Sequence, residues 1–203
     1  MILYFSATGN SEHVARRIAA ATDDKVMSIE HFDAEAFRLA LAEGPCQLGF
    51  VAPVYAWGLP TPMIEFLKTA DLSIVAGTKG GERPYTFYVS TYGSTTGQSA
   101  KFARDLLHER GLELHAAMSV KMPDTWTPLF DLSDHQKVEG INRAAETQID
   151  AVIEAVRERR TGNMMRHRVP LFASCAYHAF GLPRMQQTSK FAVDASRCIG
   201  CCL

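Results

Sequence analysis

Apolar residues along this chain fall into short unbroken runs and longer stretches of helical spacing, and the two kinds alternate. The chain opens on Met1-Ile2-Leu3-Tyr4-Phe5, with no polar break. Such a run reads as a short strand buried on both faces, the usual state of a strand in a parallel sheet. Val14, Ala15, Ile18 and Ala19 then recur at helical spacing, with Arg16 and Arg17 between them. Lys25-Val26-Met27-Ser28-Ile29 reads as a second strand, and residues 33–43 as a helix stopped by Gly44-Pro45. A third strand covers residues 46–52, followed by a helix over 61–69 and a glycine-rich loop over 71–84 with Gly77, Gly80, Gly81 and Pro84. Residues 84–91 form the fourth strand, 98–110 a helix ended by Gly111, and 112–122 the fifth strand. In residues 134–160, Val138, Ile141, Ala145, Ile149, Val152, Ile153 and Val156 recur every three or four positions, which predicts a long helix. Strands alternating with helices give an α/β, doubly wound parallel sheet of five strands.

The first strand-to-helix junction has the chemistry of an anion site. Ser6-Ala7-Thr8-Gly9-Asn10-Ser11 packs three hydroxyls, a Gly and an Asn into six positions. The first turn of a helix has N–H groups with no partner inside the helix, and the aligned peptide dipoles add positive charge there. Gly9 lets the backbone approach a ligand or take positive φ. A phosphate can be held by these groups without a cation. No Lys precedes Lys25, so the lysine-bearing phosphate loop of ATP and GTP hydrolases is disfavoured. Ser, Thr and Asn are also ordinary helix-capping residues, which leaves a plain capped turn as the alternative.

This segment resembles the phosphate loop of the flavodoxins, Ser/Thr-x-Thr-Gly-Asn-Ser/Thr. The resemblance implies a flavodoxin-like sheet in the order 2-1-3-4-5 and FMN as cofactor, its terminal phosphate held by Ser6, Ala7, Thr8, Gly9, Asn10 and Ser11. Pro53-Val54-Tyr55-Ala56-Trp57-Gly58 crowds aromatics, a proline and a glycine at the end of the third strand. It resembles the second flavin loop, whose aromatics stack on the ring and whose glycine lets a peptide turn its carbonyl or its N–H toward the flavin. Thr91-Tyr92-Gly93-Ser94-Thr95 ends the fourth strand. It corresponds in place to the third flavin loop, with Thr91, Tyr92, Gly93 and Thr95 at the ring. Met122-Pro123-Asp124-Thr125-Trp126 ends the fifth strand and reads as a further wall of the same cleft.

Composition narrows the picture. Of 203 residues 47% are hydrophobic and 21% charged, ordinary for a globular protein, and the net charge is −1 from 21 basic and 22 acidic residues. That balance gives no footprint for nucleic acid. We find no signal peptide and no apolar run of about twenty residues that would span a membrane, and expect a cytoplasmic protein. The 7 histidines are scattered, without metal-ligand spacing.

From residue 161 the composition shifts, so we divide the chain into an FMN-binding unit, 1–160, and an extension, 161–203. The apolar dozen 171–182 is too short to cross a bilayer. It reads as a helix packed on the sheet or on something downstream, with an interfacial membrane contact as the weaker alternative. The chain closes on Cys198-Ile199-Gly200-Cys201-Cys202-Leu203. Cys198 and Cys201 have the spacing that starts the bacterial ferredoxin run C-x₂-C-x₂-C-x₃-C-P. The whole then resembles the flavodoxin–ferredoxin fusion proteins, cut short of the remaining ligands. The resemblance implies [4Fe–4S] clusters only in a longer form. A zinc half-site and a vicinal Cys201-Cys202 redox pair are the alternatives.

These readings lead to an electron carrier that works with a redox partner protein or an attached ferredoxin module, with no catalytic acid or base of its own. The alternatives are an NAD(P)H-dependent FMN reductase of quinones or other small oxidants, and a regulator that keeps the fold without cofactor.

Overall fold

The computed structural model describes residues 1–43, 46–72, 83–185, 187–189, 191–194 and 196–197. Gly44-Pro45, the glycines of the 71–84 loop and the cysteines Cys198, Cys201 and Cys202 lie outside the described residues. In chain order the elements are β1 (Ile2–Tyr4), α1 (Asn10–Thr22), β2 (Val26–Ser28), α2 (Ala34–Glu43), β3 (Gln47–Pro53), α3 (Thr61–Thr69), β4 (Tyr85–Tyr92), α4 (Ser99–Glu109), β5 (Ala116–Lys121) and α5 (His135–Arg157). They continue as β6 (Gly162–Asn163), α6 (Leu171–Ala176), a π-helical turn (Tyr177–Gly181) and α7 (Leu182–Met185).

The strands form one parallel sheet in the order β2-β1-β3-β4-β5-β6. The order expected from the sequence thus holds for the first five strands, and the structure adds a sixth at the edge. Two residues are too few to carry a periodic signature, and β6 forms because Gly162 and Asn163 run beside Ala116 and Ala117 of β5.

Side chains alternate across the sheet with a period of two. Leu3, Phe50, Tyr88 and Ala117 share one register row and point to the face covered by α2, α3 and α4. Ile2, Val51, Phe87, Val89 and Met118 point to the other face, under α1 and α5. Both faces are therefore dry, which explains the unbroken apolar runs. Gly49 stands in register between Ile2 and Phe87, and the Phe87 ring occupies the space a side chain there would need. Below the sheet, at the end away from the loops that follow the strands, the Met1 ammonium pairs with the Asp24 carboxylate and donates to the Gln47 carbonyl (3.0 Å). Burial lowers the pKa of that ammonium, and the Asp24 charge opposes the shift.

None of the described helices is long and apolar enough to cross a membrane. Gly49→Ala would set its Cβ 2.5 Å from Phe87 Cζ and 2.8 Å from Ile2 Cδ1. We expect it to destabilise the fold by about 1–3 kcal/mol through overpacking, read as a lower urea midpoint with an unchanged slope.

Candidate functional site

Every strand of a parallel sheet ends at the same edge, and the connections that follow β1, β3, β4 and β5 converge there. They enclose a cavity of about 610 Å³, within the range of small-molecule sites. Ser6, Ala7, Thr8, Asn10 and Ser11 line one end; Pro53, Val54, Tyr55, Ala56 and Trp57 line a side, with Thr91, Tyr92, Gly93 and Thr95 beside them. Of the residues singled out from the sequence, Gly9 and Gly58 do not face the cavity. Cys198 and Cys201 lie outside the described residues.

The turn before α1 is built as a cradle. Gly9 is the N-cap of α1 at φ 90°, which L side chains avoid. Its N–H donates to Ser6 Oγ (3.1 Å). The first N–H with a helical partner is that of His13, to the Gly9 carbonyl (2.8 Å). The N–H groups of Asn10, Ser11 and Glu12 precede it and have no helical acceptor. The side chains of the turn also fix it to its neighbours. Asn10 Nδ2 donates to the Pro123 carbonyl (3.1 Å), Thr8 Oγ1 meets Thr125 Oγ1 (3.3 Å), and Ser11 Oγ meets Thr91 Oγ1 (2.7 Å). The sequence presents Ser11 as a ligand donor, but its hydroxyl is buried in a bond to the end of β4. What it offers the cavity is its backbone.

The loop after β3 turns tightly. Tyr55 and Gly58 exchange backbone hydrogen bonds of 3.1 and 2.9 Å, with Ala56 (φ 51°) and Trp57 (φ 62°) between them. Both positions are left-handed, the geometry of a hairpin turn that normally takes Asn-Gly. Two non-glycine residues held there store strain that the surroundings must offset. Gly58 itself is a close-approach glycine: a Cβ would come 2.6 Å from His178 Nε2 and 2.9 Å from Phe102. The Trp57 carbonyl accepts from the Gln98 N–H (2.8 Å) and from Ser174 Oγ (3.2 Å), and Gly97 (φ 55°) lies against that carbonyl with no room for a side chain.

Met122, Pro123, Asp124, Thr125 and Trp126 form a further wall, as the sequence suggests, and Ser94, Leu129 and Phe130 join them. Two more lining residues, Tyr177 and Leu182, come from far along the chain. No local signal marks them, because the apolar dozen that carries them has the composition of any packed helix. Among the described residues, Asp124 is the one carboxylate in the lining, and no Lys, Arg or His lines it. Asp124 packs against Gly93, which has no space for a Cβ. Burial raises the pKa of Tyr55, and that of Tyr92 against the opposing charge of Arg166, so both hydroxyls stay protonated at neutral pH. Among the described residues no group of three or more His, Cys, Asp or Glu side chains could hold a metal ion. The cavity suits a flat ligand with an anionic tail, combining unpaired N–H groups at one end with the aromatic side chains of Tyr55, Trp57, Tyr92 and Trp126 around the rest.

Residues 1–151 match the family described as the flavodoxin domain. No curated protein matches the sequence. Among solved structures, a flavodoxin from the domain Archaea is 16% identical (TM-score 0.46), over 77% of this chain and 96% of that one. The two-electron reduced flavodoxin of Megasphaera elsdenii is 16% identical (TM-score 0.44), over 73% of this chain and 97% of that one. The Flv1 flavodiiron core of Synechocystis sp. PCC6803 is 17% identical (TM-score 0.44) over 76% of this chain, which spans only 36% of that protein.

Gly97→Ala and Gly9→Ala separate the two uses of glycine in these loops. Both put a side chain at positive φ, at a cost of about 1–3 kcal/mol, but nothing lies within 4 Å of a Cβ at Gly9. Gly97→Ala also meets the Trp57 backbone. We expect the larger loss of thermal stability from Gly97→Ala, by differential scanning fluorimetry.

Proposed function

Because this chain belongs to the flavodoxin domain family, we propose that it binds FMN in the cavity above the strand ends and carries electrons to and from a partner protein. The observation that supports this most is the convergence of four separate loops on one cavity, with helix N–H groups at one end and aromatic rings around the other. When bound, FMN supplies reversible uptake of electrons and protons at its isoalloxazine ring.

The chain's own residues bind, orient and shield. The N–H groups of Asn10, Ser11 and Glu12 and the hydroxyls of Ser6 and Thr8 hold the phosphate, with Ala7 and Gly9 shaping the turn. The α1 dipole supplies the positive potential that no side chain in the lining provides. Pro53, Val54, Tyr55, Ala56, Trp57 and Gly58 form one wall around the ring. Thr91, Tyr92, Gly93 and Thr95 form another, and Trp126 a third. None of these residues acts as an acid or a base. The Asp124 carboxylate, packed against Gly93, disfavours adding negative charge to a ring beside it. Around the mouth Tyr55 is 42%, Trp126 49% and Leu129 67% exposed, an apolar rim suited to a redox partner. The C-x₂-C spacing of Cys198 and Cys201 supports a ferredoxin module as that partner in a longer protein, where these residues would be cluster ligands.

The test is a titration of the purified chain with FMN, followed by its visible spectrum and by NADPH oxidation with a quinone panel. We expect stable flavin bands and little turnover without an added reductase. Failure to take up FMN under both oxidising and reducing conditions would overturn the proposal, and fast turnover would make the chain a reductase. Asn10→Asp places a negative charge in the phosphate turn while remaining favourable to the helix terminus; it also gives up the bond to the Pro123 carbonyl, a loss that FMN and riboflavin share. We expect it to weaken FMN by about tenfold or more, with a much smaller effect on riboflavin, which lacks the phosphate.

A further inference from the structure

The segment that follows the matched region is tied to the site along its length. Met165 is buried in the core. The Arg166 carbonyl accepts from Thr96 Oγ1 (2.7 Å) and the His167 carbonyl from the Thr96 N–H (3.1 Å) and from Thr95 Oγ1. The Val169 carbonyl accepts from Gln98 Nε2. The loop after β4 is thus bonded to this segment through Thr95, Thr96 and Gln98. Ser174 Oγ then reaches the Trp57 carbonyl, the Tyr177 ring lies 4.9 Å from the Trp57 ring at 35°, and His178 fills the space beside Gly58.

These contacts have a consequence for the peptide between Trp57 and Gly58. Its carbonyl already has two donors, Gln98 N–H and Ser174 Oγ, and its N–H already donates to the Tyr55 carbonyl. Turning that peptide over would break all three bonds. The positive φ angles of Ala56 and Trp57 are held from outside the turn, and part of that hold comes from residues 165–182.

We infer that residues 165–182 are a strap belonging to the ligand site: Tyr177 and Leu182 are ligand-contact residues, and Ser174 and His178 are positioning residues that fix the Trp57 loop. The inference rests on the flavin reading for the identity of the ligand, but not for the strap's grip on Trp57. Ser174 contributes one hydrogen bond, worth about 0.5–1.5 kcal/mol, or roughly a 2- to 12-fold change in affinity. Tyr177 contributes ring contact to Trp57 and a wall of the cavity.

The experiment uses the full chain and two readouts. The first needs no ligand. The protein has 2 tryptophans, so in a Trp126→Phe background, excited at the long-wavelength edge where tyrosine does not absorb, the emission is that of Trp57. Tyr177→Ala in that background is expected to shift the emission to the red and to raise acrylamide quenching at least about twofold, since the ring that covers Trp57 is gone. Ser174→Ala, which removes only a hydroxyl, is expected to raise quenching less and keeps the test open if Tyr177→Ala folds poorly. The second readout is FMN affinity by fluorescence titration, with losses of roughly 2- to 12-fold for Ser174→Ala and larger for Tyr177→Ala. Unchanged quenching in both variants overturns the strap. Raised quenching with unchanged FMN affinity overturns its place in the ligand site. A parent chain that takes up no FMN overturns the flavin reading instead, and the quenching result still decides whether the strap holds Trp57.

Discussion

A strand in a parallel sheet can be left only by crossing back over a face, and here both faces are covered. The dry rows Leu3–Phe50–Tyr88 and Ile2–Gly49–Phe87 oblige each connection to carry an amphipathic helix over the sheet and to start from the same edge. That constraint sets the rest of the molecule. It gathers the ends of β1, β3, β4 and β5, which are scattered over more than a hundred residues of sequence, into the walls of one cavity. It also places that cavity where the strand order turns back on itself, between β1 and β3, the usual position of ligands in open sheets.

At this edge most of the polar groups open to a ligand belong to the backbone. The turn before α1 offers N–H groups, a dipole and the hydroxyls of Ser6 and Thr8, while its side chains also reach neighbouring loops: Asn10 to Pro123, Thr8 to Thr125, Ser11 to Thr91. Those bonds link the turn to the ends of β4 and β5, so the cradle is set before any ligand arrives, which lowers the ordering cost of binding. Among the described residues that line the cavity, Asp124 carries the one charged side chain.

The loop after β3 shows how far a local conformation can depend on distant parts of the chain. An Ala-Trp pair in a left-handed turn is unfavourable on its own. It is kept by Gly97 and Gln98 from the loop after β4 and by Ser174, Tyr177 and His178 from beyond α5. Strain in one loop is thus offset by packing from two others, and the cavity wall is stiffer than its own sequence would make it.

The sequence by itself determined the α/β alternation, the hydroxyl turn before α1 and the three later strand-end loops, and its flavodoxin-like motifs carried the order of the first five strands. Each of these rests on a local pattern: a period of two or of 3.6, a capping residue, a proline or glycine at a boundary. Tertiary structure alone decided the rest. β6 exists through its pairing with Ala116 and Ala117, too short to announce itself. Ser11 turned its hydroxyl to Thr91, a partner eighty residues away. Gly58 owes its place to the His178 and Phe102 rings rather than to a glycine-only backbone angle, and the positive φ angles fell on Ala56 and Trp57. Tyr177 and Leu182 entered the cavity from a segment whose composition says only that it packs on something. All of these are contacts across long sequence separations, and such contacts are set by which surfaces the fold brings together, not by the pattern of residues on either side.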